Sequence, residues 1–265
     1  MRPAARDRHP LALAAGSVLD ARAVDVCDVA AAAGFDAIGL RLSGEHAVAR
    51  RDVVPLRRRI EDAGLVLLDA EVHRIAPGTA APGELIDTAA ALGARHLLVV
   101  SDLDDASRTR DALAAVVERC RDAGIGTALE YMAWTTPSTP AGALALAEAT
   151  GASVVVDLLH HTRVGATVAE LARLVRSGRV GWVQICDAGD RPADGDLVHE
   201  ARHARRAPGD GILPLAELLA VVPFGVPLSV EVQSDLLRTT LPPDRRALLL
   251  HGRAQPLNTI GYRPK

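Results

Sequence analysis

The sequence predicts a single-domain α/β protein in which eight βα units close into a (β/α)8 barrel. The first observation is that short apolar runs alternate with Ala- and Leu-rich amphipathic segments, eight of each. The second is that a glycine follows six of the helical segments, where a left-handed helix cap is expected. The third is the length of 265 residues, close to the roughly 250 typical of such barrels. The six glycines are Gly34, Gly64, Gly93, Gly124, Gly151 and Gly178.

Each predicted strand is followed by a predicted helix, so the strands must be parallel, and closure into a barrel is the economical arrangement. An open, doubly wound sheet is the alternative. The predicted strands are residues 11–15, 36–42, 65–72, 96–101, 126–131, 153–159, 180–186 and 227–233. The predicted helices are residues 20–33, 50–63, 82–92, 105–123, 139–150, 167–177, 213–222 and 242–252.

One domain accounts for the whole chain, residues 1–265, with the eight βα units at about residues 11–252. Residues 253–265 form a C-terminal extension. This extension either covers the barrel or contacts a second subunit, as in a homo-oligomer.

Composition excludes several functional classes. Hydrophobic residues make up 49% of the chain but aromatic residues only 2%, so the core must consist of Ala, Val, Leu and Ile. The net charge is −3 and the basic residues are dispersed, which argues against nucleic acid as a partner. No apolar run is long enough to span a membrane. The early run LALAAG is too short for a secretion signal, and the three cysteines show no paired spacing, so we expect a cytoplasmic protein.

Two absences limit the chemistry further. The only lysine is Lys265, the last residue, which is a poor candidate for a buried Schiff-base amine. No G-x-G-x-x-G motif follows a predicted strand, and no Walker-type lysine is present, so we expect no nucleotide cofactor.

Four oxygen-bearing side chains close four successive apolar runs: Glu130 in TALEYM, Asp157 in VVVDLLH, Gln184 in WVQICD and Glu231 in LSVEVQ. The first two intervals are both 27 residues, about one strand and one returning helix. These side chains should therefore meet at the C-terminal face of the barrel, where such folds carry their chemistry. Converging carboxylates repel one another unless a cation or shared protons intervene. Four oxygens favour a hard divalent cation.

Further candidate residues surround these four positions. His160 and Arg163 follow the sixth predicted strand and are candidates for binding substrate, although a solvated histidine and a surface salt bridge are the alternatives. A long predicted loop after the seventh strand carries Arg202 and Arg205 and resembles a lid or a binding loop.

The remaining candidates lie on the third predicted strand and beyond the fifth. Glu71 and His73 are expected to point into the cleft, since they share one strand face. Trp134 is expected either to stack on a sugar or to pack in the rim of the barrel.

The segments ALEYM, VVVDLLHHTR, GWVQICDA, EARHARRAPGDGILPLAELL and LSVEV, in this order, resemble the xylose-isomerase-like TIM barrels, in particular the sugar phosphate isomerase/epimerase group. The resemblance covers the whole chain and is specific from about residue 126 to residue 234. It implies one divalent metal bound through Glu130, Asp157, Gln184 and Glu231, with the two glutamates serving also as the proton-transfer pair. Relatives commonly carry histidine where this chain has Gln184, and an amide oxygen favours Mg²⁺ or Mn²⁺ over Zn²⁺.

The expected function is isomerisation or epimerisation of a sugar, sugar phosphate or related polyhydroxy ketone, by proton transfer through a metal-stabilised ene-diolate. The first alternative is a metal-dependent dehydratase of an inosose- or dehydroshikimate-like ketol, because both reactions begin with proton abstraction next to a carbonyl. The second alternative is a non-catalytic binding protein. The DNA-repair endonucleases of the superfamily use a zinc cluster with many histidine ligands, a set that this chain lacks.

Overall fold

The computed structural model describes residues 7–79 and 82–263 and confirms the predicted (β/α)8 barrel. The eight strands are all parallel and lie in sequence order, with β8 pairing back to β1. The strands are β1 Leu11–Leu13, β2 Ala37–Arg41, β3 Val66–Ile75, β4 His96–Ser101, β5 Gly126–Glu130, β6 Ser153–Asp157, β7 Val180–Ile185 and β8 Leu228–Val230.

Helices surround this barrel, and the eight predicted helices are all found within a few residues of their expected bounds. The helices are α1 Ala23–Ala33, α2 Arg50–Asp62, α3 Gly83–Leu92, α4 Ala106–Asp122, α5 Pro140–Thr150, α6 Leu158–Arg163, α7 Val168–Arg176, α8 Leu197–His203, α9 Leu215–Leu219, α10 Asp235–Thr240 and α11 Pro243–Ala254. Three of these, α6, α8 and α10, lie in segments for which the sequence predicted no helix.

Glycine ends several helices in the expected manner. Gly34 has a φ of 95°, a left-handed conformation that costs a glycine little, and its N–H donates to the carbonyls of Ala30 and Ala31 at the end of α1. The chain then turns directly into β2. A glycine cap at the end of a helix, followed directly by the next strand, recurs from one βα unit to the next around the barrel.

The apolar residues form two layers, one inside the barrel and one between the barrel and its helices. Inside, small side chains such as Ala12, Ala37 and Ala128 surround Trp182, which is wholly buried. Leu68, Leu98, Val100, Met132 and Val155 fill the rest of the interior, so Trp182 is the one aromatic ring in a cluster of aliphatic side chains and a methionine. This packed layer forms the floor beneath the polar C-terminal face.

The C-terminal extension packs at the opposite, N-terminal end of the barrel. The backbone N–H of His9, just before β1, donates to the carbonyl of Asn258, and a ring nitrogen of His9 lies 2.9 Å from the carbonyl of Ile260. The backbone of Tyr262 pairs with Pro223 and Phe224. The extension therefore covers the end of the barrel remote from the predicted site, and its last two residues lie outside the described part of the chain. Among the described helices, none has the length and apolar character of a membrane span.

Candidate active site

The four side chains predicted to converge all stand at the C-terminal ends of adjacent strands. Glu130 and Asp157 are the last residues of β5 and β6, Gln184 is the penultimate residue of β7, and Glu231 follows β8 directly. Asp157 and Gln184 are paired in register between β6 and β7. All four side chains are buried, with between 1% and 7% of each residue exposed.

Asp157 has a local reason for its position, because it also caps the helix that follows it. Its Oδ1 accepts hydrogen bonds from the backbone N–H groups of Leu159, at 2.7 Å, and His160, at 3.2 Å. This cap starts α6 immediately after β6 and places His160 over the strand ends. The ring Nε2 of His160 lies 3.8 Å from both Glu130 Oε1 and Asp157 Oδ2.

The central cleft at this face has a volume of about 370 Å³. Its lining brings together seven residues of the predicted site: Glu71, Glu130, Trp134, His160, Arg202, Arg205 and Glu231. Apolar contacts from Leu98, Val100 and Met132 complete one wall. Asp157 and Gln184 lie deeper, beneath this lining. The ring of Trp134 meets that of His160 edge-on, with ring centroids 5.2 Å apart.

Arg205 is the buried cation at the centre of the site. Its Nη1 donates to Asp157 Oδ2 at 2.6 Å and lies 3.5 Å from Glu231 Oε2. Its Nη2 donates to His160 Nε2 at 3.3 Å, since a guanidinium has no acceptor to offer. Burial lowers the pKa of His160 to about 4, so this ring is neutral at physiological pH.

A second buried ion pair lies across the cleft, on β2 and β3. Arg41 Nη2 donates to Glu71 Oε2 at 2.9 Å. Close to this pair lies Asp69, which is 1% exposed and interacts with the carboxyl groups of Glu71 and Glu231 and with the charge of Arg41. Gly39 makes room for it, because a Cβ at that position would stand 2.8 Å from Asp69 Oδ1.

Arg41 and Asp69 were not among the predicted site residues. Each had a usable signal in the sequence: Arg41 closes the apolar run AIGL, as Glu130 closes TAL, and Asp69 stands two residues before Glu71 on the same strand.

The electrostatics of the cleft follow from an excess of buried acids. Burial, together with the charges of Glu231 and Asp157, raises the pKa of Glu130 well above its ordinary value. Burial and the neighbouring carboxylates Glu71 and Glu231 do the same to the pKa of Asp69. Burial raises the pKa of Glu231 to about 7, and the positive charge of Arg205 limits this shift. For Asp157, burial is outweighed by the charge and hydrogen bonds it receives, chiefly from Arg205, so its pKa is lowered.

These residues fit a hard divalent cation. Single ligand atoms of Glu130, Asp157 and His160 all lie within 4.8 Å of one another. The amide oxygen of Gln184 is buried and accepts no hydrogen bond from the part of the chain that the structure describes. The raised pKa values of Glu130 and Glu231 mean that these two acids lack sufficient positive charge around them. An oxygen-rich donor set of this kind suits Mg²⁺ or Mn²⁺.

Two predicted substrate-binding residues do not line the cleft. The pairing of β3 with β4 is irregular between Ala70 and His73, so Val72 and Arg74 line the cleft while His73 does not. Arg163 instead binds the carboxylate of Glu200 through two hydrogen bonds of 2.7 Å. The alternation of side chains along β3 could not reveal that His73 lies outside the cleft. The ion pair of Arg163 could not be predicted either, because it joins two segments that are far apart in the chain.

Residues 27–249 match the family model described as xylose isomerase-like TIM barrel. No curated protein resembles the chain closely enough in sequence to count as a match. Among solved structures, a xylose isomerase-like TIM barrel/4-hydroxyphenylpyruvate dioxygenase fusion protein is 21% identical, with a TM-score of 0.75 over 95% of this chain and 45% of that one. The chain thus spans less than half of that fusion protein.

Two further solved structures match over almost their whole length. A xylose isomerase domain protein from Alicyclobacillus acidocaldarius subsp. acidocaldarius is 22% identical, with a TM-score of 0.71, over 95% of this chain and 98% of that one. The 3-keto-D-glucoside 4-epimerase from E. coli is 13% identical, with a TM-score of 0.70, over 95% of this chain and 100% of that one. At these identities the likeness shows the fold alone.

Proposed function

The chain belongs to the xylose isomerase-like TIM barrel family, and from this premise we propose that it is a divalent-metal-dependent isomerase or epimerase of a sugar or related polyhydroxy ketone. One observation carries the proposal: two buried glutamates with raised pKa values, Glu130 and Glu231, line the same cleft. Burial raises the pKa of Glu231 to about 7, so this group can both release and accept a proton near neutral pH, and the pKa of Glu130 is raised in the same direction. The epimerase among the solved structures of the same fold supports this class of reaction.

Glu130, Asp157, Gln184 and Glu231 would hold the metal, with His160 within reach of the first two. A divalent cation bound there supplies positive charge that polarises a substrate carbonyl and acidifies the neighbouring C–H. The same charge would partly offset the burial that raises the pKa values of Glu130 and Glu231, so that one of them can act as a carboxylate.

Proton transfer is assigned to the two glutamates. One of them, as a carboxylate, removes the proton from the carbon next to the carbonyl. The other, as a carboxylic acid, delivers a proton, either to the same carbon from the opposite side or to the neighbouring carbon. The first outcome inverts a stereocentre. The second moves the carbonyl, because the hydroxyl proton of the ene-diolate then passes from the oxygen that becomes the new carbonyl to the oxygen of the former one. A positioned acid-base pair of this kind contributes roughly 10² to 10⁴-fold to the rate.

The remaining cleft residues orient the substrate. Trp134 presents an apolar ring beside His160, an arrangement suited to the face of a sugar. Arg202 and Glu71 offer charged hydrogen-bonding groups for hydroxyl groups at the edge of the cleft. The volume of about 370 Å³ suits a small carbohydrate.

The decisive experiment follows the substrate C–H in D₂O with Mn²⁺ present. We expect the wild-type protein to catalyse deuterium incorporation into a ketohexose or a 3-keto-glucoside. Glu231→Gln and Glu130→Gln should each slow incorporation at least about 10²-fold, because each removes one member of the proton-transfer pair. Glu217→Gln, on the exposed surface of α9, is the matched control. Unchanged exchange in a folded Glu231→Gln variant would remove this residue from the reaction.

The same incubations separate the rival lyase reaction. A dehydratase would also exchange the C–H, but its product would lack one molecule of water and gain conjugation with the carbonyl. An isomerase or epimerase product keeps the mass of the substrate apart from the incorporated deuterium. Mass spectrometry of the product therefore decides between the two reactions.

A further inference from the structure

Arg205 makes contacts that overlap with those of the candidate metal site. Its guanidinium lies 2.6 Å from Asp157 Oδ2 and 3.3 Å from His160 Nε2. Asp157 and His160 are two of the three residues whose ligand atoms cluster closely enough to hold a metal ion. A guanidinium nitrogen and a divalent cation both need the lone pairs of these oxygen and nitrogen atoms, so they compete for them.

The other oxygen of Asp157, Oδ1, cannot bind the metal ion in place of Oδ2. Asp157 Oδ1 already accepts two backbone hydrogen bonds at the start of α6. Oδ2 is therefore the oxygen available to a cation, and it is the oxygen that Arg205 binds. Likewise, His160 Nε2 accepts a hydrogen bond from Arg205 and cannot use the same lone pair to bind a metal.

We propose that Arg205 is an internal cation that competes with the metal for Asp157 and His160 and so sets the metal affinity of the site. In the metal-free chain the guanidinium neutralises Asp157 and keeps the buried acids together. A metal ion at Asp157 Oδ2 would share this oxygen with the guanidinium, so repulsion between the two positive charges opposes metal binding there. At His160 Nε2, which has a single lone pair, the guanidinium must withdraw before a metal can bind. The inference rests on the proposed function only in taking this cleft to be a divalent-cation site.

The surroundings of Arg205 allow such a withdrawal. Its Nε donates to the carbonyl of Ala201 at 2.7 Å, and its backbone N–H donates to the carbonyl of Gln233 at 3.1 Å. The backbone bond keeps the base of the side chain in place. Withdrawal of the guanidinium from Asp157 also breaks the Nη1 bond to the carbonyl of Glu231, at 3.3 Å, while the Nε bond to Ala201 limits how far the group can turn. Arg205 also lines the open cleft. A displaced guanidinium therefore has space beside the substrate site and can turn towards substrate oxygens.

The test measures Mn²⁺ binding to the substrate-free protein, using the EPR signal of free aqueous Mn²⁺. Arg205→Ala should bind Mn²⁺ about 5- to 150-fold more tightly than the wild-type protein, the usual range for coupling between two binding events. Arg202→Ala removes an equal charge from the lining of the cleft without freeing Asp157 Oδ2, so its smaller effect measures electrostatics alone. Arg205→Lys keeps the charge but cannot span Asp157 and His160, so we expect an intermediate gain.

Adding guanidinium chloride tests whether the guanidinium group itself weakens Mn²⁺ binding. In Arg205→Ala, free guanidinium at low millimolar concentration should enter the vacated position and weaken Mn²⁺ binding, whereas equal NaCl should not. If Arg205→Ala does not fold, the comparison of Arg205→Lys with Arg202→Ala decides. The inference is overturned if no folded Arg205 variant binds Mn²⁺ more tightly than Arg202→Ala. Because no substrate is present, this result is independent of the deuterium-exchange test of the proposed function.

Discussion

Arg163 and Glu200 form a two-pronged ion pair, with Arg163 Nε 2.7 Å from Glu200 Oε2 and Nη2 2.7 Å from Oε1. The side chains are 11% and 2% exposed. The pair joins two short helices, α6 and α8, and each of them positions one side chain of the cleft. His160 lies on α6, and Arg205 is the second residue after α8. The ion pair thus holds in register two segments that both contribute to the site.

Removing one partner of this pair should destabilise the protein. In Arg163→Met the Glu200 carboxylate remains buried without its counter-charge, so the free energy of unfolding should fall by about 3 kcal/mol. Urea denaturation followed by circular dichroism measures this change. Arg110→Met, which breaks an exposed pair with Asp111, is the control and should cost less than about 1 kcal/mol. A loss in Arg163→Met no larger than the control would show that the pair contributes little.

Gln184 should determine which metal the site prefers. Its buried amide oxygen is a hard donor, and Gln184→His would introduce an imidazole, which suits Zn²⁺. We expect the ratio of Zn²⁺ to Mg²⁺ affinity to rise at least about tenfold, equivalent to about 1.4 kcal/mol. Competition titrations with a fluorescent chelator measure both affinities. Gln255→His places the same new ring on the exposed end of α11 as a control. Equal ratios in the two variants would argue that Gln184 is not a ligand.

His96 should make stability depend on pH. Its half-buried ring packs against Trp182, and this partial burial lowers its pKa below the usual value despite a contact with the carbonyl of Leu68. Between the lowered pKa of the folded state and about 6.5, the unfolded chain binds more protons, so stability falls as the pH falls through this window. One such group contributes at most about 1.4 kcal/mol per pH unit.

The corresponding experiment compares urea denaturation at several pH values between neutral and mildly acidic. His96→Gln should reduce the loss of stability on acidification, whatever its effect on stability at neutral pH. His203→Gln, which removes an exposed histidine on α8, is the control. A pH profile of His96→Gln parallel to that of the wild-type protein would contradict the assignment.

Much of the fold could be predicted because its signals are local. The strand β4 has its predicted bounds, and β5, β6 and β7 differ from theirs by one or two residues at the C-terminal end. Helices α6, α8 and α10, of six or seven residues, were not predicted. The start of α6 was included in the predicted strand 153–159, and α8 lies in the segment that was predicted to be a long loop.

The candidate site divides in the same way. A polar residue that closes an apolar run must emerge at the end of a strand, so the positions of Glu130, Asp157, Gln184 and Glu231 at one face followed from sequence pattern alone. The placement of His73 did not follow, because an irregular pairing between β3 and β4 changes which residues face the cleft. Alternation along a strand holds only while the pairing stays regular.

The amino-acid sequence by itself determined the barrel, the face that carries its chemistry and the four oxygen side chains there, since periodicity and glycine punctuation act within about thirty residues. Only the tertiary structure decided which charged side chains contact one another. Arg205 and Asp157 are 48 residues apart in the chain and 2.6 Å apart in the fold. The pKa of Asp157 falls while those of Glu130 and Glu231 rise, because these shifts depend on burial and on charges from distant segments.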